Sequence, residues 1–80
     1  MKVRVELTAS RYGRFLDAVS QKSFAYALLK NGVVESNPGR RKRVVIVCDY
    51  KQARRLLARA ARVCPEAAEE ILASAHLWER

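Results

Sequence analysis

Arg40, Arg41, Lys42 and Arg43 stand side by side, Lys51, Arg54, Arg55, Arg59 and Arg62 follow, and Asp49 is the single acid between Arg40 and Arg62. Nine of the sixteen Lys and Arg residues fall in this stretch, so the positive charge is concentrated. Concentrated cations attract polyanions and speed their encounter with the protein. Arginine adds planar, bidentate phosphate contacts. Other chemistries are poorly served. His76 is the only histidine and has no recognisable acid and nucleophile partners; Glu6, Asp17 and Asp49 are dispersed. Gly13, Gly32 and Gly39 form no phosphate-binding loop. No close cysteine pair accompanies His76, which argues against zinc. The pattern therefore predicts a non-enzymatic protein with no catalytic residue, metal or cofactor. A small enzyme would need a deep pocket around Asp17 or His76.

Eighty residues make one domain, 1–80. A chain of this length buries roughly 60% of its unfolded surface, a thin stability margin to which self-association would add. Half the residues are hydrophobic, which favours a folded core. The net charge of +8 and pI of 10.2 favour nucleic acid, an anionic membrane or an acidic protein as partner. The competing reading is a charged surface that merely solvates the fold. No segment approaches the ~20 apolar residues of a membrane span. Met1–Leu7 alternates charged and apolar residues, unlike a signal-peptide core, so a cytoplasmic location is expected. Cys48 ends a predicted strand and Cys64 ends the following helix, roughly 20 Å away at 1.5 Å per residue. That exceeds the ~7 Å limit for a disulfide. Two buried thiols in a reduced compartment are expected.

The elements that must position these residues follow from periodicity. Residues 2–7 alternate as a strand, with Val3, Val5 and Leu7 on one face and Lys2, Arg4 and Glu6 on the other. Thr8 or Ser10 caps a helix carrying Tyr12, Phe15, Leu16 and Val19. Ser20–Ser23 interrupts the apolar rhythm. Either Ser23 caps a second short helix with Phe24, Ala27 and Leu28, or one helix runs from about 10 to 30. Asn31-Gly32 supplies a left-handed closing residue. Residues 33–36 form a short strand, Asn37-Pro38-Gly39-Arg40 a type II turn, and residues 41–48 a returning strand in which Glu35 faces Lys42. Val44–Cys48 is apolar without alternation and should be the central strand, covered on both sides or at a subunit contact. Asp49 and Gln52 form a capping box for a helix whose Ala53, Leu56, Leu57, Ala60 and Cys64 share one face. At about 100° per residue, Lys51, Arg55, Arg59 and Arg62 share the opposite face and Arg54 sits to the side. Pro65 opens a last helix with Glu66, Glu69 and Glu70 in its first turns and an apolar stripe of Ala68, Ile71, Leu72, Ala75 and Trp78.

The resulting order is β-α-β-β-α-α. The expected fold class is α+β: a small three-stranded, mostly antiparallel sheet with helices packed on one face. The uncovered face, with Lys2, Arg4 and Glu6 beside Val45 and Val47, or an open sheet edge, is a second place for a partner.

Two basic surfaces are candidates. The stripe Lys51, Arg55, Arg59, Arg62 can lie along a phosphate backbone. The hairpin Arg41, Lys42, Arg43 can enter a groove or straddle a strand, or simply protect a sheet edge. One arrangement would erase the stripe. Residues 50–64 carry five cations and no acid, residues 65–80 one cation and four acids. If Glu66, Glu69 and Glu70 fold beside Arg59 and Arg62, much of the charge is neutralised. No predicted strand contains Phe, Tyr or Trp, and Phe15, Phe24 and Trp78 sit at core spacing. This disfavours a base-stacking sheet and leaves backbone or shape recognition. Pro65 and the preceding strands fit a helix-turn-helix poorly. The first functional expectation is a nucleic-acid-binding module, RNA ahead of DNA, using Arg41, Lys42, Arg43, Lys51, Arg55, Arg59 and Arg62. The alternative is a protein-interaction or regulatory module that self-associates through its sheet.

Overall fold

The computed structural model describes residues 1–36, 38–39 and 41–75. Strand β1 (Lys2–Thr8) leads into α1 (Ala9–Ala18) and α2 (Phe24–Leu29). Strands β2 (Val33–Glu35) and β3 (Arg43–Asp49) follow, then α3 (Tyr50–Val63) and α4 (Pro65–Ala75). The order and the three-stranded sheet are those the periodicity predicts. The strands lie in the order β1-β3-β2, and β3 is antiparallel to both neighbours.

The register explains the core. Val3, Val5 and Leu7 sit opposite Cys48, Ile46 and Val44, so all six share one face of the sheet. The helices cover that face and bring Phe15, Leu29, Leu56 and Ile71 into it, each fully buried. Burying a side chain of this size contributes about 1.5–3 kcal/mol. The covering is therefore what holds a chain this small together.

The chain between the sheet's edges is two helices. Thr8 has extended backbone angles and its hydroxyl accepts the Arg11 N–H, which starts α1. The Ser23 hydroxyl accepts the Tyr26 N–H at 3.2 Å and starts α2. Asn31-Gly32 does not supply a left-handed residue: among the described residues only Gly39 has positive φ, 78°. Instead α2 tightens through Asn31 N–H to Leu28 O and Gly32 N–H to Leu29 O. Gly32 is required for space, since a Cβ there would lie 2.5 Å from Val44 Cγ1. Gly39 fits the third position of the predicted turn. Asn37 and Arg40, which complete it, lie outside the described residues, as do His76 and Trp78.

Two further expectations need correction. Strand β3 starts at Arg43, and Glu35 pairs with Arg43 instead of Lys42. Leu72 is exposed and α4 buries Ala67 and Ile71, because the sheet and α3 meet a stripe one residue earlier. Val45, on the face without helices, is only 4% exposed. On the same face the Arg4 guanidinium reaches across β3 to the Glu35 carboxylate at 3.1 Å, from a residue opposite Val47 to one opposite Arg43. Lys2–Asp49 at 3.2 Å and Arg4–Glu6 at 3.8 Å complete an ion-paired face. Val47 and Val33 remain exposed on it.

Candidate functional site

Helix α3 is built as its sequence requires. Asp49 holds the extended conformation of an N-cap, and Gln52 Oε1 accepts the Asp49 N–H at 3.0 Å. Ala53, Leu56 and Ala60 are buried against the sheet and α4. That anchoring turns Lys51, Arg55, Arg59 and Arg62 outward, and all four are exposed, as is Arg54. Arg62 lies in the last turn, where the helix dipole favours a cation.

Three of these cations converge. Arg55, Arg59 and Arg62, with Ala58 and Phe24, line a groove of about 190 Å³ on the outside of α3. The Arg55 guanidinium lies 4.2 Å above the centre of the Phe24 ring, a cation–π stack. Arg54 sits 5.9 Å over Tyr50 in a looser version of the same contact.

Glu66 and Glu70 of α4 are engaged by α1 and its cap residue instead of by this surface. Glu66 accepts a hydrogen bond from Arg14 at 2.9 Å and lies 3.4 Å from Arg11. The Glu70 carboxylate accepts from the Thr8 N–H at 2.8 Å and from the Thr8 hydroxyl at 3.0 Å, and lies 3.8 Å from Arg11. These two acids are one turn apart, so a single stripe of α4 faces the first turns of α1. Among the described residues, no carboxylate lies within 4.0 Å of the Lys51, Arg54, Arg55, Arg59 or Arg62 cations.

The hairpin is a separate surface. Arg41 and Lys42 line a hollow of about 240 Å³ with Thr8, Ala9, Ser10, Arg11 and Glu70. Arg43 stands on the uncovered face of the sheet between Thr8 and Glu35. Lys51 sits in the first turn of α3 and lines neither cavity. The seven sequence-selected cations thus fall into one groove of three, one hollow of two, and two outlying residues. Phe24 is the groove residue that spacing assigned to the core. It is half-buried, with one ring face under Arg55. Nothing local in the sequence links positions 24 and 55, which only tertiary packing joins.

Burial, and secondarily Asp49, raises the Cys48 pKa above the ordinary thiol value, with Lys2 opposing. Burial, and then Tyr26, raises Tyr12, whose O–H donates to the Leu29 carbonyl at 2.5 Å. Cys48 and Cys64 are buried free thiols. Asp17 is exposed on α1. Among the described residues, no cluster of three or more His, Cys, Asp or Glu could hold a metal ion, and no helix is long and apolar enough to cross a membrane. Compared with protein-family models, curated proteins and solved structures, the chain has no match in any of the three.

Proposed function

We propose that this chain is a non-enzymatic, cytoplasmic binding module that holds a nucleic-acid backbone against the outer face of α3, RNA ahead of duplex DNA. One observation carries this reading. The α3 cations are exposed and have no carboxylate within ion-pairing distance among the described residues, although an acidic helix follows directly. Cations without an internal acid keep their donors for phosphate, and each phosphate neutralised releases counterions. Double-stranded RNA is recognised largely through shape and phosphate contacts, which suits an arginine stripe beside strands that carry no aromatic residue. Arg41, Lys42 and Arg43 extend the contact as a second, weaker surface.

The test is binding of a short labelled RNA and a duplex DNA across a salt series, with protein freed of carried-over nucleic acid. Binding should weaken along a straight log–log line. Arg55→Ala with Arg59→Ala should reduce that slope. No binding at low salt overturns the reading.

A second reading, self-association, is favoured by one specific feature. Val33 and Val34 are 64% and 61% exposed on edge strand β2, which pairs on one side only. A concentration-dependent dimer lost in Val34→Lys, without polyanion affinity, would establish it.

A further inference from the structure

We propose that the groove lined by Phe24, Arg55, Arg59 and Arg62 is a seat for one phosphate group, and that Phe24 is the positioning residue that orients Arg55 within it. This rests on the reading of α3 as a phosphate-contacting face, and it adds which residues make the contact and what they recognise.

The geometry has three parts. Residues 55, 59 and 62 recur at four- and three-residue steps, so their side chains rise from one stripe about 10 Å long. Ala58 lies among them, and its short side chain leaves the groove open. Phe24 comes from α2 and walls the groove opposite the stripe. The Arg55 guanidinium carbon lies over that ring, 4.2 Å from its centre. Stacking removes water from one face of the guanidinium and restricts its rotamers while its N–H edge stays free to donate. Three guanidiniums with no carboxylate nearby among the described residues then offer forked donors to a tetrahedral anion. The stack also covers the ring face toward the groove, so a base could stack there only by displacing Arg55. The seat therefore recognises phosphate and is indifferent to base identity. Its source is an internal phosphodiester or a terminal phosphate of an RNA strand, which share this chemistry.

Arginine side-chain N–H signals and the Phe24 ring signals should be followed by NMR during titration with inorganic phosphate. The expected result is one saturable curve shared by Arg55, Arg59, Arg62 and Phe24. Shifts that grow without saturation, or that are equal at Lys51, Arg41 and Lys42, overturn the seat. Phe24→Leu should weaken phosphate binding about two- to five-fold, the size of an exposed cation–π contact, and Phe24→Tyr, which keeps the ring, should restore it. Equal affinity in all three proteins overturns the positioning role, and the wild-type titration stands independently of whether Phe24→Leu folds. Uridine oligonucleotides with and without a 5′-phosphate separate the sources. A preference for the phosphorylated strand assigns the seat to strand ends, and equal shifts in the groove assign it to internal phosphodiesters. Oligonucleotides that bind without moving the groove signals overturn the seat while leaving the nucleic-acid reading intact. A saturable phosphate titration without oligonucleotide binding sustains the seat and overturns that reading.

Discussion

Helices α3 and α4 are neighbours in sequence and in space, yet they dispose of their charge in opposite ways. The acids of α4 are used internally: Glu66 engages Arg11 and Arg14, and Glu70 receives the N–H and hydroxyl of Thr8. Among the described residues, no carboxylate lies within 4.0 Å of the α3 cations. Opposite charges close in sequence therefore need not neutralise each other. Which face each helix buries decides where its charges go. On α3 the buried residues are Ala53, Leu56 and Ala60, and on α4 Ala67 and Ile71.

The comparison can be broken first through packing. Leu56→Ala on the buried face of α3 should destabilise the domain by about 2–5 kcal/mol. Leu72→Ala, on the exposed side of α4, should stay within about 0.5 kcal/mol. Urea denaturation of both variants measures the difference, and equal losses would mean that α4 packs through Leu72 after all. The internal use of the acids comes next. Glu70→Ala leaves the part-buried Thr8 N–H without its acceptor and should cost about 1–3 kcal/mol. Phosphate affinity of the α3 groove, read at its Arg55 and Arg59 signals, should be unchanged, and a rise there would show that α4 screens the basic face. Third, Arg59→Ala should change stability by no more than about 0.5 kcal/mol and Arg55→Ala, which gives up its contact with Phe24, by no more than about 1 kcal/mol, since both residues are exposed. A large fall in melting temperature would move these arginines from a binding role to a structural one.

The smallest effect lies at alkaline pH. The folded state holds the Cys48 and Tyr12 protons more tightly than the unfolded chain does. Their contribution is complete below the ordinary thiol and phenol ranges. It is lost as pH rises through those ranges towards the raised values. Cys48→Ala should flatten the first part of this alkaline decline in a pH series of denaturation curves. An unchanged profile would mean that the thiol ionises freely in the folded protein.

Much of this was legible in single residues. Alternation at Val3, Val5 and Leu7 marks a one-sided strand and Pro65 the start of a last helix, whereas Ser23 allows either a second helix or one helix from about 10 to 30. Local periodicity is sufficient there because backbone geometry alone sets which side chains share a face. The register of β3 was not legible. Val44, Val45, Ile46 and Val47 are too alike to choose a pairing, and the choice of Arg43 opposite Glu35 came from matching all three strands. The burial of Val45 on the face without helices agrees with a central strand covered on both sides, which the unbroken apolar run Val44–Cys48 predicts.

The candidate site divides in the same way. The chain's own sequence determined that a basic stripe exists, since Lys51, Arg55, Arg59 and Arg62 share one side of any helix that buries Leu56. Only the tertiary structure decided that the stripe escapes the acids of α4, that Phe24 lies beneath Arg55, and that Arg41 and Lys42 face a different hollow. Each of those outcomes joins residues far apart in the chain. Their proximity depends on how four helices share one face of a three-stranded sheet, a choice made by burial of the whole core and not by any local spacing.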